Sequence, residues 1–221
     1  MTAGRQALGM PSQYAVGLAG FRFLDLRCDA RALIPRPETE GLVDLALGLR
    51  RTGRALDLGT GSGCIALALA SEGEYDEVIG VDLSGEALAL ARENSAVSAV
   101  SVRWVKGNWV DPVRDERFDL VVSNPPYIAT DELAGLDPSV RDWEPWLALD
   151  GGQDGLRATE RILRDVPAVL APAGVLVLEL DSRRAGESAA LARSRGWIDV
   201  SITRDSFGRD RYLTARREPT S

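Results

Sequence analysis

The sequence predicts an α/β fold: a doubly wound, mostly parallel sheet with helices on both faces. Two observations predict it. From Gly53 onward, short apolar runs alternate with helical patterns, as parallel strands joined by crossover helices do. A glycine-rich turn also stands where the first of these runs gives way to a helix, the place where open α/β sheets hold ligands.

The elements follow in order. Residues 1–52 read as a less regular N-terminal extension and lid segment, with a helix from Glu38 to Leu49. Residues 53–221 read as the main domain. Its first strand is Ala55–Leu58, followed by the glycine turn and the apolar helix Cys64–Ala70. Glu77–Asp82 is the second strand. The helix Ser84–Ser95 comes next, capped by Ser84 and carrying Ala87, Leu88 and Ala91 on one face. Val100–Val105 and Phe118–Ser123 are further strands, rich in apolar residues as doubly covered strands are. An amphipathic helix is expected over Leu156–Leu170, a buried strand over Gly174–Leu180 and a helix over Arg184–Arg195. Trp197–Thr203 and Asp210–Ala215 are expected to close the sheet as an antiparallel hairpin.

Composition excludes several function classes. The chain has 221 residues, 45% hydrophobic and 27% charged, which is enough to bury a core without staples. No apolar run approaches the roughly 18 residues a membrane span needs, and the start has no signal-peptide pattern. Cys28 and Cys64, without such a signal, fit a reducing cytoplasm better than a disulfide framework. The absence of histidine removes serine–histidine triads and histidine metal sites, and no metal is expected. A net charge of −7 argues against a nucleic-acid partner, which calls for a basic surface.

Two motifs carry chemistry. The first is Leu56-Asp57-Leu58-Gly59-Thr60-Gly61-Ser62-Gly63, where glycines allow a sharp turn and a close ligand. Alone it is a loose signal, and a plain strand-to-helix turn would read the same way. Asp82 follows about 20 residues later, placed to accept ribose hydroxyls. Asp57 stands where a carboxylate can face an ammonium group. The third glycine comes one residue too early for a nicotinamide or flavin fingerprint, and D-x-G-x-G-x-G resembles the first motif of the class I S-adenosylmethionine-dependent methyltransferases. The second motif is Asn124-Pro125-Pro126-Tyr127, directly after a strand. An amide or aniline-like NH₂ is a poor nucleophile because its lone pair is conjugated. The Asn124 side-chain oxygen and the Pro125 carbonyl can hold its two N–H bonds, and these contacts strengthen as positive charge develops on nitrogen. Tyr127 can offer a flat face to a planar group. In isolation the tetrapeptide reads equally well as a turn.

With these motifs in place the chain resembles the release factor glutamine methyltransferase family. The match runs from about Arg5 to Arg217. It includes Gly17, Phe21, Leu33–Glu40 (LIPRPETE), LDLGTGSG, NPPY, Glu144-Pro145, Asp150–Leu156 (DGGQDGL) and Asp205 to Arg211. NPPY alone is shared with adenine methyltransferases; LIPRPETE together with the DGG-x-DGL segment is more specific. The resemblance implies transfer to the amide nitrogen of the glutamine in a Gly-Gly-Gln tripeptide of a peptide chain release factor, with S-adenosylmethionine as cofactor. By position it assigns Gly59, Thr60, Gly61, Ser62, Gly63 and Asp82 to the cofactor. Asn108 would stand beside the adenine and Trp109 over it; from composition alone Trp109 is equally a core aromatic. Asn124, Pro125, Pro126 and Tyr127 would hold the substrate amide, with Asn124, Pro125 and Tyr127 catalytic. Pro35 to Thr39 would form a lid edge.

Three departures from the pattern stand out. Little precedes the match, so most of the family's N-terminal helical domain is expected to be lacking, which bears on protein-substrate recognition. Asn108 stands where an aspartate is common, and Leu180-Asp181-Ser182 replaces a glycine-bearing segment. Competing expectations are adenine-N6 methylation of DNA or RNA, amide methylation of a small molecule or peptide, and a non-catalytic binding module.

Overall fold

The computed structural model describes residues 9–217. The first eight residues of the expected extension, Arg5 among them, and residues 218–221 of the expected main domain lie outside that range.

The expected doubly wound sheet is present. It contains β3 (Thr52–Leu58), β4 (Glu74–Asp82), β5 (Arg103–Lys106), β6 (Phe118–Ser123), β7 (Leu170–Glu179), β8 (Ile198–Arg204) and β9 (Asp210–Arg216). The strands are ordered β5-β4-β3-β6-β7-β9-β8. From β3 to β5 the chain builds outward in one direction, then crosses back to lay β6 on the other side of β3. All pairs from β5 to β7 are parallel; β9 runs antiparallel to both β7 and β8, making the expected closing hairpin. The reversal of strand order between β3 and β6 opens a crevice at their carboxyl ends.

Alternation along the strands fills two cores. Leu56, Leu58, Val121, Leu176 and Leu178 face one side, against Ile162, Leu163 and Ala189. Those last residues lie on α6 (Arg157–Asp165) and α7 (Ala185–Ser194). Ala55, Leu120, Val122, Val175 and Val177 face the other side, against α2 (Pro37–Leu49) and α3 (Cys64–Glu72). The helix α4 (Gly85–Ser98) starts at Ser84, whose side chain accepts from the Ala87 N–H as expected.

The boundaries differ where polar residues continue a strand. β3 begins at Thr52 and β4 at Glu74, because their starts pair with each other, with a register shift between Gly53 and Arg54. Val100 and Val102 precede β5, whose pairing with β4 starts only at Arg103. The helix expected to reach Leu170 stops at Asp165, ahead of Pro167, and a 3-10 turn over Val166–Ala168 leads into β7.

The N-terminal segment is more regular than its sequence suggests. A short α1 (Ser12–Val16) leads through Gly17, at φ +80°, into an antiparallel pair, β1 (Leu18–Phe21) and β2 (Leu24–Arg27). Phe21 and Leu26 share a core with Leu42, Ile65 and Leu67. The short α5 (Pro138–Arg141) lies on the return path towards α6.

Candidate active site

Strands β3 and β6 pair so that Leu58 lies opposite Ser123. The Ser123 hydroxyl donates to the Leu58 carbonyl at 2.6 Å, locking the two strand ends together. The glycine turn and the NPPY turn therefore leave the sheet side by side, one strand spacing apart (about 5 Å). This adjacency follows from the crossover, not from sequence distance.

The glycine turn folds back over β4. Gly59 and Thr60 both donate their N–H to the Val81 carbonyl, at 2.9 and 3.0 Å. Gly59, Gly61 and Gly63 sit at φ +70°, +57° and +84°, a region a side chain enters only at a cost. Gly63 has a second constraint, since a Cβ there would lie 2.7 Å from the Trp104 ring and 3.1 Å from Ala91. Asp82, at the end of β4, accepts the Gly61 N–H and the Ser84 N–H, one on each oxygen, both at 2.8 Å. Asp82 lines the cleft and keeps further acceptor capacity.

Asp57 lies behind the turn. It is fully buried, and its Oδ2 accepts from the Thr60 hydroxyl at 2.5 Å and the Ala66 N–H at 3.2 Å. Its Oδ1 has no partner among the described residues. Burial, helped by the Asp82 charge and opposed by those two hydrogen bonds, pushes the Asp57 carboxyl up to about 7.

A cleft of about 570 Å³ opens in front of these elements, within the size range of small-molecule sites. Of the residues expected from sequence, Gly59, Thr60, Gly61, Ser62, Asp82, Asn108, Trp109, Asn124 and Pro126 line it. Asp57, Gly63, Pro125 and Tyr127 stand close to these residues in the chain without lining the cleft themselves. Trp109 takes φ +51°, rare for a bulky side chain, and its ring approaches the Cβ direction of Gly59 to 3.7 Å. Trp109 both packs against the core and lines the cleft.

Asn124 opens into the cleft on one side and is tied on the other. Its Nδ2 donates to the Thr39 hydroxyl oxygen at 3.1 Å, and that hydroxyl donates to Glu179 Oε2 at 2.8 Å. No donor among the described residues reaches Asn124 Oδ1, which stays open to the cleft. The Tyr127 hydroxyl lies 3.5 Å from Glu179 Oε1.

The DGG-x-DGL segment is built against the NPPY turn. Gly151 donates to the Ile128 carbonyl at 2.8 Å, and a Cβ on Gly151 would come within 2.8 Å of the Tyr127 backbone. A Cβ on Gly155 would meet the Tyr127 carbonyl oxygen at 2.5 Å. DGG-x-DGL is thus a backbone buttress that only glycine can supply. The segment Ala32–Arg36 also lines the cleft. It is held by Glu144, which pairs with Arg36 and accepts the Ile34 N–H at 3.4 Å. Glu144-Pro145 and LIPRPETE are therefore two halves of one contact. Thr39 and Glu179 had no sequence signal linking them across 140 residues; only the fold reveals the pair.

The Methyltransferase small domain family matches residues 40–135. The release factor glutamine methyltransferase of Deinococcus radiodurans is 45% identical over 216 residues, covering 96% of this chain and 77% of its own. Its counterpart in Cereibacter sphaeroides is also 45% identical, over 97% of this chain and 76% of its own. Among solved structures, a methyltransferase from Pyrococcus furiosus shares the fold, with a TM-score of 0.70 at 21% identity across 98% of this chain and 99% of that one. With that identity held over nearly its whole length, the chain belongs to the release factor glutamine methyltransferase family.

Proposed function

We propose that this methyltransferase moves the methyl of S-adenosylmethionine onto the side-chain amide nitrogen, N5, of the glutamine in the Gly-Gly-Gln loop of a peptide chain release factor. The relatives' name supports the substrate. One structural observation carries the chemistry: the open Asn124 oxygen leaves β6 in register with the glycine turn of β3.

The residues fit the cofactor. The turn presents glycines at Gly59 and Gly61, where a ligand can lie against the backbone, and Asp82 offers free lone pairs suited to the two ribose hydroxyls. Trp109 borders the same space with a flat ring suited to an adenine, and Asn108 can accept from its amino group. Asp57 supports the turn from behind through Thr60 and Ala66. Bound there, S-adenosylmethionine supplies an electrophilic methyl on a sulfonium sulfur.

The chain's own residues prepare the acceptor. Asn124 Oδ1 accepts one N–H of the glutamine amide and the Pro125 carbonyl the other, which fixes the plane of the NH₂ and turns its lone pair towards the glycine turn. As the N–C bond forms and the S–C bond breaks, positive charge grows on nitrogen and both contacts strengthen, lowering the barrier. The sulfur keeps the S–C electron pair as a neutral thioether, the nitrogen gives up one proton to solvent, and the amide is restored. Pro126 and Ala32–Arg36 line the same cleft as Asn124. The cytoplasm is the setting this substrate implies. Among the described residues, no helix is long and apolar enough to cross a membrane.

The test is transfer of labelled methyl to purified release factor, to its Gly-Gly-Gln peptide and to adenine-containing DNA. Label on the glutamine of the first two is expected. Label on DNA alone would replace this reading with adenine methylation.

A further inference from the structure

We propose that Thr39 and Glu179 form a polarity relay that fixes which way the Asn124 amide faces. The inference rests on the amide-holding role proposed for Asn124.

An asparagine amide is nearly symmetric in shape but opposite in chemistry at its two ends. If Oδ1 faces the cleft, Asn124 accepts an N–H and can hold an amide substrate. If the group turns over, Nδ2 faces the cleft and repels the same N–H. Something must set the orientation. A hydroxyl neighbour does not do so by itself, because Thr39 can donate or accept.

Glu179 removes that freedom. An ionised carboxylate only accepts, so the single Thr39 proton is committed to Glu179 Oε2 at 2.8 Å. The Thr39 oxygen is then left only as an acceptor, and it takes an N–H of Asn124 Nδ2 at 3.1 Å. Asn124 Oδ1 must consequently point into the cleft. Tyr127 reinforces the direction, since its hydroxyl lies on the other Glu179 oxygen at 3.5 Å. Thr39 and Glu179 are 2% and 1% exposed, so no bulk water offers an alternative partner. The relay spans α2, the β6 turn and the end of β7, three elements that meet only in the folded chain.

The surroundings of Glu179 make the relay sensitive to pH. Burial raises its carboxyl to about 7, opposed by Thr39, by the Arg211 charge on β9 and by Tyr127, and helped by Glu38 on α2. Tyr212 on β9 and Cys64 on α3 also lie within its field, and burial raises both to about 12. A protonated Glu179 can donate to Thr39, which frees the Thr39 proton to turn towards Asn124 and undoes the orientation.

The chain has three asparagines, Asn94, Asn108 and Asn124, so ¹⁵N-asparagine labelling gives three side-chain NH₂ signals. Loss of one in Asn124→Ala assigns it. That signal is expected to move with a midpoint of about 7 and to stop doing so in Glu179→Gln, with no acceptor present. In peptide methylation, Thr39→Val is expected to lower kcat by about 10- to 100-fold with little change in KM, and Thr39→Ser to recover most of it. An Asn124 signal that ignores Glu179→Gln, or a Thr39→Val enzyme as active as Thr39→Ser, would overturn the relay. If Asn124→Ala itself kept full activity, the amide-holding role would fall and the relay's purpose with it. Activity lost in Asn124→Ala but kept in Thr39→Val would remove the relay alone.

Discussion

Asp57 combines full burial, an unpartnered oxygen and a carboxyl raised to about 7, and these set a measurable trade between stability and binding. In the unfolded chain the same group titrates at its ordinary value of 3.8. The folded state holds the proton more tightly, so ionisation of Asp57 opposes folding increasingly as pH rises from 3.8 to about 7, and the cost is constant above that. Between pH 5 and pH 8 the carboxyl in the folded state crosses about two further units, which at 1.36 kcal/mol each is roughly 3 kcal/mol. Asp57→Asn keeps an acceptor for Thr60 and Ala66 but leaves an NH₂ where Oδ1 stood, at a cost of about 1–3 kcal/mol that does not depend on pH. Subtracting the two pH values cancels that cost.

The assay is thermal unfolding of the unliganded wild type and Asp57→Asn at pH 5 and pH 8. For a chain of this length about 1 kcal/mol moves the midpoint by roughly 2–4 °C. The variant is therefore expected to gain about 5–10 °C on the wild type in going from pH 5 to pH 8. Glu179 titrates in the same window but is common to both proteins, so it drops out of the difference. At pH 8 the variant should also lose affinity for the cationic cofactor more than for S-adenosylhomocysteine, because a buried negative charge attracts a sulfonium and not a thioether. A stability difference that stays the same at both pH values would refute the buried, proton-holding Asp57.

Asn124→Ala should lower kcat by about 10²- to 10³-fold, as loss of an acceptor at developing charge does, with cofactor affinity by calorimetry largely kept. Gly63→Ala should destabilise the protein by about 2–5 kcal/mol in chemical unfolding, because a left-handed backbone and a Cβ 2.7 Å from Trp104 both oppose the methyl. Trp109→Ala should weaken cofactor binding by roughly 10- to 100-fold through lost stacking, read by calorimetry.

How much of this was legible in the sequence differs element by element. The glycine turn and Asn124–Tyr127 were legible because each is local: the residue types that make the turn are also the ones the proposed chemistry uses. Strand identity was legible from apolar runs such as Phe118–Ser123, but their starts were not, since Thr52 and Glu74 are polar residues held in strands by each other's backbone. β1 and β2 escaped notice because each is only four residues long, and their apolar positions, Phe21 and Leu26, are anchored by a core built from α2 and α3. The sequence set Asp57 directly before the glycines, where a carboxylate can face an ammonium group; the alternation of β3 turns its side chain towards α3, where Oδ2 meets the Ala66 N–H.

The remaining part of the site is legible only in pairs. Glu144 is an ordinary surface glutamate in composition and becomes a clamp only when Arg36 and Ile34 arrive from more than a hundred residues away. Gly151 and Gly155 read as loop glycines until the Tyr127 backbone is found where their side chains would be. Thr39 reads as a helix-start residue until Glu179 and Asn124 close on either side of it. In each case one partner makes the contact and the other sets its chemistry. A reading that assigns roles residue by residue therefore finds the groups proposed to hold ligand and misses those that set their orientation. The NPPY turn is the clearest instance: its asparagine can either accept or donate, and which it does is decided by a carboxylate at the end of a different strand.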